Sequence, residues 1–350
     1  MWLAAGGTGG HVFPALALAQ LLQPMGVRAV ILSDARGQRF LGDWPASLQR
    51  RIVAGTPRRR GALAKCLGLL RLGVGFAQAL YHGLRDRPVA VVGFGGYASV
   101  PSVLAAWCWG ARVVLHEGNA KLGAANRWLL RFADLQAAGL PELKGLPSAF
   151  AGKLLVTGTP IRASVVQAFT AWQAPALDQS WHWLVIGGSQ GASLFAQLLP
   201  EALALLDPAL RARVRLSQQC GEKDCAALQR RYAELGVVAE LAPFFQDMGE
   251  RYASSDGVIA RAGASTVAEL LAVRRPAILI PFAASLDGDQ AANAAVMAKL
   301  GLAKMVMESD QLAVQLAAAM QEWMQHPAEF AAASGVADTP PDWLKILNLG

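Results

Sequence analysis

Three observations predict a chain of two doubly wound α/β domains with parallel sheets. At roughly 150 residues per domain, 350 residues suggest two of them. The sequence also nearly repeats itself: WLAAGGTGGHVFPALALAQLL from Trp2 aligns with WLVIGGSQGASLFAQLLPEAL from Trp183 at a constant offset of 181, each copy reading strand, glycine turn, helix. Apolar runs of four to six residues recur between helical stretches, as strands buried on both faces do. They are RAVIL, VAVV and RVVLH in the first half and GVIA and AILIPF in the second. Sizeable cores are available from 54% hydrophobic residues, which excludes a disordered chain or a small disulfide-held scaffold. In open parallel sheets ligands bind outside the carboxyl ends of the strands, so two such domains are expected to face an interdomain cleft. The expected division is 1–156, 157–325, and a tail of 326–350 that either stands alone or returns to the first domain.

Charge separates the halves. Residues 1–155 carry 18 Lys and Arg against 6 Asp and Glu, the remainder 14 against 19, within a net charge of +7. A basic half suits an anionic partner, whether nucleic acid, a phospholipid surface or a phosphorylated substrate. Cys66, Cys108, Cys220 and Cys225 show no C-x-x-C spacing, and no secretory leader is evident in the first 25 residues. A reduced, cytoplasmic chain with no cysteine-held metal is the expectation.

The first glycine loop, Gly6-Gly7-Thr8-Gly9-Gly10, runs into His11 and a helix whose Pro14 fits a first turn. Amides at such a loop can face a phosphate. Asp34, after the second strand, mimics the ribose-binding acid of a dinucleotide fold, but Val12 replaces the third fingerprint glycine and no Walker sequence occurs. At a helix N-terminus the dipole opposes a second proton on His11, and a neutral imidazole accepts one. The alternative is that His11 only closes the loop.

Residues 88–111 run uncharged for long enough to span a bilayer, yet four glycines and two prolines favour a strand from Val89 to Val92, a loop at Gly93 to Gly96, and a helix from near Pro101 to Gly110. Before them, residues 58–87 hold seven basic side chains and one acid, Asp86. Two apolar stripes lie about 120° apart on a helix wheel at about 100° per residue. Leu63, Leu67, Leu70, Val74, Tyr81 and Leu84 are expected to face the core. Leu69, Leu72, Phe76 and Leu80 either lie on an anionic membrane or are buried against a second neighbour. Gly68, Gly73 and Gly75 argue against one continuous helix.

In the second half, Gly187-Gly188-Ser189-Gln190-Gly191 forms another glycine loop, and Arg162 is placed to serve the same anion. Ala264 to Glu269 opens a helix after the strand GVIA, aiming a carboxylate at sugar hydroxyls or capping the helix. Asp287-Gly288-Asp289 spells D-x-D, for which an N-cap role is weighed against a metal role.

Taken in order and spacing, seven segments resemble the MurG family of peptidoglycan N-acetylglucosaminyltransferases, within glycosyltransferase family 28, over residues 3 to 325. They are GGTGGHVFPALALA from Gly6, GFGGYASVP from Gly93, VVLHEGN from Val113, GTPIR from Gly158, IGGSQGA from Ile186, RAGASTVAEL from Arg261 and DQAANA from Asp289. The resemblance implies a GT-B fold of two Rossmann-like domains. It also implies inverting transfer of N-acetylglucosamine from UDP-GlcNAc to the 4-hydroxyl of the muramoyl sugar of lipid I, giving lipid II. The partners it implies are UDP-GlcNAc, lipid I and an anionic membrane surface, without nucleic acid, for a peripheral protein at the cytoplasmic face of the inner membrane. No obligatory metal or other cofactor is implied.

Carried over motif by motif, the donor meets Thr8, Gly9, Gly10, Asn119, Arg162, Ser189, Phe245, Ala264, Ser265, Thr266, Val267, Ala268, Glu269 and Gln290. Phe245 offers backbone groups to uracil, Glu269 holds ribose hydroxyls, and Arg162 with the Gly187–Gly191 loop neutralises the diphosphate. His11 is the general base or an acceptor-side group, and Gly95, Gly96 and Tyr97 help receive the lipid diphosphate. This chain has Thr159, Gly118 and Ala262 where the family commonly has Asn, Gln and Ser, and its first strand is short for the family. Its tail, ending TPPDWLKILNLG, lacks the amphipathic helix expected to return to the first domain.

Overall fold

The structure, a computed structural model, describes residues 1–40, 48–55, 62–168, 172–285, 288–327, 329 and 343–348, leaving aside the side chains of 39–40, 62–65 and 188–192. The chain forms two compact units, Met1–Ala163 with Thr339–Gly350, and Ser164–Asp338.

The first unit is built on a seven-stranded parallel sheet in the order β3-β2-β1-β4-β5-β6-β7. Its strands are β1 (Trp2–Ala4), β2 (Val30–Ser33), β3 (Gln49–Ile52), β4 (Ala90–Gly93), β5 (Arg112–Glu117), β6 (Leu135–Ala138) and β7 (Leu154–Val156). The helices are α1 (Gly9–Leu22), α2 (Ala62–Asp86), α3 (Val100–Cys108) and α4 (Ala124–Leu129). Alternation along β1 shows why the strands read as continuous apolar runs. Trp2 and Ala4 enter the core on the face covered by α3, whereas Leu3 and Ala5 enter the one covered by α1, and all four are fully buried. The strand order reverses between β1 and β4, each paired directly to the other, so the loops leaving these two strands are neighbours.

Three expectations for this unit are corrected. Helix α1 starts at Gly9, which places Pro14 inside the helix and not in its first turn. The segment before β4 is one continuous helix despite its glycines, and its apolar stripes are exchanged. Leu67, Leu70, Val74, Tyr81 and Leu84 are exposed, while of the other stripe Phe76 and Leu80 pack on the core beside buried Ala79, Leu72 is half-buried and Leu69 is exposed; Leu63 lies outside the described side chains. The reason is steric. A Cβ on Gly75 would lie 2.2 Å from the Ala54 carbonyl oxygen and one on Gly83 would lie 2.0 Å from Trp109 Nε1, so the glycine-bearing side is the one that approaches its neighbours closely.

The second unit has six parallel strands in the order β10-β9-β8-β11-β12-β13. The strands are β8 (Trp181–Ile186), β9 (Val214–Gln219), β10 (Val238–Ala242), β11 (Gly257–Ala260), β12 (Ala277–Leu279) and β13 (Ala303–Met305). Between and around them run α5 (Ala163–Gln167), α6 (Gly188–Leu205), α7 (Pro208–Arg211), α8 (Cys225–Glu234), α9 (Met248–Ser254), α10 (Ala264–Val273), α11 (Asp289–Lys299) and α12 (Leu312–Gln325). Trp183 stacks on Trp323 of α12 with ring centroids 5.8 Å apart, and Gly257 on the neighbouring strand leaves room for the indole, since a Cβ there would lie 2.6 Å from it. The expected loop Gly187–Gly191 is mostly the first turn of α6, two residues earlier than the repeat with α1 predicts.

The reduced-chain expectation is also corrected. Cys220, buried at the end of β9, and Cys225, opening α8, form a disulfide with Cα atoms 6.0 Å apart. A turn in which the Cys225 N–H donates to the Gly221 carbonyl folds the intervening residues back, which brings a five-residue spacing into disulfide range. Cys66 and Cys108 are free and exposed.

The tail does carry a helix, α13 (Trp343–Leu347). Trp343 and Leu347 are buried with Leu3, Val12 and Leu18 of the first unit, and the Arg112 Nε–H donates to the Ile346 carbonyl at 2.9 Å.

Candidate functional site

Both glycine loops of the first unit leave the sheet at the reversal of strand order and converge on His11. Thr8 is the extended residue before α1, and Gly9 and Gly10 open the helix, where first-turn amides have no intrahelical acceptor. The His11 Nδ1 atom lies 3.1 Å from Thr8 Oγ1 and 3.2 Å from the Gly6 carbonyl oxygen. A carbonyl only accepts, so the Gly6 contact assigns the proton to Nδ1 and the lone pair to Nε2. The loop after β4 closes the other side. A Cβ on Gly95 would lie 3.5 Å from His11 Nε2, and one on Gly96 would lie 3.2 Å from Nδ1. Both glycines have positive φ, +87° and +73°, a backbone that L side chains rarely adopt, so the glycine pair is required by conformation. Tyr97 follows in a turn and is half-buried.

The third element is the loop after β5. Glu117, buried at the strand's end, accepts from the backbone N–H and side-chain amide of Asn119 through Oε1, and from the Gly123 N–H and the Asn126 amide through Oε2. Asn119 is thereby oriented by its neighbour. Neither Glu117 nor Asn126 stands out in the sequence; the signal for Glu117 is a carboxylate at the carboxyl end of a buried strand, where unpaired charge is costly. His116, next to Glu117, is fully buried against Phe94 and Trp343, and burial pushes its imidazole down to about 4. Its Nε2 lies 3.1 Å from the Gly158 carbonyl oxygen. Arg162 is half-buried in the segment before α5.

The remaining predicted residues lie on the second unit. The strand order reverses there between β8 and β11, which sends α6 and α10 from neighbouring strand ends. Ser189 lies in the first turn of α6, its side chain outside the description. Ala264, Ser265 and Thr266 open α10, followed by Val267, Ala268 and Glu269. Ser265 Oγ is buried with no hydrogen-bond partner among the described residues, in a position where native polar atoms are normally satisfied. Glu269 Oε2 accepts from the Tyr252 hydroxyl at 3.0 Å, and Val267 and Ala268 are buried. Gln290, in the first turn of α11, accepts the Phe282 N–H at 3.0 Å, and Asn293 one turn on donates to the Ala262 carbonyl at 2.9 Å.

Phe245 is buried beneath Arg251, whose guanidinium carbon lies 3.8 Å from the ring centroid, so that face of the ring is covered by the cation. Arg251 also binds Glu240 at 2.6 Å and Asp247 at 2.8 Å, and these contacts hold both carboxyls below the usual range. Of the D-x-D sequence, Asp287 lies outside the described residues and Asp289 accepts the Gln290 N–H within α11. No group of three or more His, Cys, Asp or Glu able to hold a metal occurs among the described residues.

Comparison with known proteins gives the family. Residues 1–137 match the glycosyltransferase family 28 N-terminal domain and residues 182–339 the family's C-terminal domain. The chain is 43% identical over 340 residues, 96% of its length and 92% of the relative's, to the UDP-N-acetylglucosamine–N-acetylmuramyl-(pentapeptide) pyrophosphoryl-undecaprenol N-acetylglucosamine transferase of Methylorubrum populi. With the enzyme of the same name from Rhizobium meliloti it shares 41% over 351 residues, covering 99% and 93%. Among solved structures it resembles Acinetobacter baumannii MurG with a TM-score of 0.77 at 29% identity, over 99% of this chain and 98% of that one. Two units with parallel Rossmann-like sheets and these neighbours give the GT-B fold. The chain belongs to glycosyltransferase family 28.

Proposed function

We propose that this protein transfers N-acetylglucosamine from UDP-GlcNAc to the 4-hydroxyl of the muramoyl sugar of lipid I, with inversion, to give lipid II. The names of its relatives support this reading. The observation that carries the chemistry is the setting of His11, with Nδ1 against the Gly6 carbonyl and a glycine backbone on each flank. In the proposed step the acceptor oxygen attacks the anomeric carbon as the bond to the UDP oxygen breaks, and the hydroxyl proton passes to His11 Nε2. A placed base contributes ~10²- to 10⁴-fold to such a step.

Charge on the departing diphosphate is met by Arg162 and by the amide ends of α6 and α10, where the dipole favours anions, without an obligatory metal ion. Ser265 Oγ supplies a hydroxyl at that end of α10, Glu269 binds ribose hydroxyls, the Phe245 backbone reads uracil, and Asn119 and Gln290 complete the donor contacts. Gly95, Gly96 and Tyr97 receive the acceptor's diphosphate.

The membrane face is the outward side of α2. Leu67, Leu70, Val74, Tyr81 and Leu84 are exposed there. Arg71 and Arg85 share the helix, and each basic residue near an anionic surface contributes about 1 kcal/mol. No helix among the described residues is long and apolar enough to cross a membrane, and peripheral docking at the cytoplasmic face is the proposal. Incubation with UDP-GlcNAc and a lipid I analogue is expected to yield UDP and the disaccharide lipid. Transfer instead to diacylglycerol in an acceptor panel would mark a different lipid glycosyltransferase, and donor binding without turnover an inactive binding module.

A further inference from the structure

Asp34 closes the turn after β2, the position at which a dinucleotide fold keeps its ribose-binding acid, and here its carboxylate is directed into the protein. The side chain is 5% exposed. Its Oδ1 atom accepts the N–H groups of Gly7 and Gly37, each at 2.9 Å, and its Oδ2 accepts from Arg36 Nε at 3.0 Å. Three glycine backbones crowd it. A Cβ on Gly6 would lie 2.8 Å from Asp34 Oδ1, one on Gly55 would lie 3.0 Å from Asp34 Cβ, and one on Gly37 would lie 3.3 Å from Asp34 Oδ1. Gly7 itself has a φ of +84°, so the loop holds a conformation open chiefly to glycine, and a partly buried charge-assisted bond to Asp34 fixes it there.

From this geometry we propose that Asp34 is a positioning residue for His11. The path is short. Asp34 fixes the Gly7 amide, the adjoining Gly6 carbonyl accepts from His11 Nδ1, and that contact decides which imidazole nitrogen carries the lone pair. Without the carboxylate, the Gly6–Gly7 peptide loses the anchor that aims its carbonyl at the ring. The inference rests on the reading of His11 as the base.

The test is a double-mutant cycle between Asp34→Ala and His11→Ala, followed by UDP release with a lipid I analogue, with Asp34→Asn and Arg36→Ala as companions. Misplacing a catalytic group by about 1 Å costs on the order of 10²-fold, so Asp34→Ala is expected to lower kcat by about 10- to 100-fold while KM for UDP-GlcNAc moves less than about threefold. Asp34→Asn keeps an acceptor for the two glycine amides and is expected to recover most of kcat, and Arg36→Ala, which leaves those amides bonded, to retain it. In the His11→Ala background, Asp34→Ala is expected to cost nothing further, because its effect runs through the imidazole. An equal loss in both backgrounds, or full activity of Asp34→Ala beside a slow His11→Ala, overturns the positioning role alone. Unchanged kcat in His11→Ala removes the base reading and this role with it.

Discussion

His11 Nδ1 faces the Gly6 carbonyl oxygen at 3.2 Å, a contact between a ring and the backbone five residues before it. It sits where the strand order of the first sheet reverses, so the loops of β1 and β4 approach each other closely, with a Cβ on Gly6 falling 2.7 Å from Ala98 Cβ and φ positive at Gly95 and Gly96. Glycine suits position 6 for space and positions 95 and 96 for backbone conformation. The same reversal in the second sheet brings α6 and α10 out side by side.

For the donor side, Glu269→Ala and Arg162→Ala are expected to raise KM for UDP-GlcNAc with smaller changes in kcat. Losing a hydrogen bond to a charged group costs about 1.5–3 kcal/mol, or about 10- to 150-fold in affinity. Calorimetric titration with UDP-GlcNAc checks this, and unaltered affinity in both variants would remove these assignments.

For the membrane face, Leu70→Asp with Val74→Asp is expected to reduce sedimentation with anionic vesicles while leaving UDP-GlcNAc affinity in place, because both side chains point outward. Phe76→Asp with Leu80→Asp acts differently: these residues pack on the core, and the pair is expected to lower the melting temperature. If the second pair instead abolished vesicle binding in a fully stable protein, the orientation of α2 would be wrong.

His116 predicts a pH dependence of stability. Its folded pKa is depressed from the usual 6.5 to about 4 by burial. Its contribution is therefore fully present above pH 6.5 and is lost progressively as the pH falls through about 4, since the unfolded chain binds the proton first. The full effect is about 3 kcal/mol, at about 1.4 kcal/mol per tenfold change in the proton equilibrium. Urea unfolding of the wild type between pH 7.5 and 4 should show this slope, and a His116→Phe variant should lack that part of it. Identical slopes would exclude His116 as its source.

Much of this was legible in the sequence because glycine loops and apolar runs are local signals. The Trp2 and Trp183 repeats gave two parallel-sheet units, and the helix after GVIA begins at Ala264 as its motif indicates. Features decided by tertiary contact were not legible. Both stripes of α2 are apolar, and only the close approach at Gly75 and Gly83 selects the inward one. A five-residue helix such as α13 is too short to show periodicity, and its place follows from the burial of Trp343 and Leu347. The Cys220–Cys225 disulfide depends on a turn whose shape the spacing does not encode. Glu117 and Asp34 looked like candidate ligand groups or nothing at all, because a carboxylate's use of backbone amides is invisible until the loops are folded.

The most direct measurement of the central claim is UDP release from UDP-GlcNAc, with and without a lipid I analogue, by the wild type and by His11→Ala. Acceptor-dependent release by the wild type is predicted, falling by ~10²- to 10⁴-fold in kcat in the variant while donor affinity persists. Release that ignores the acceptor, or a variant as fast as the wild type, would contradict it.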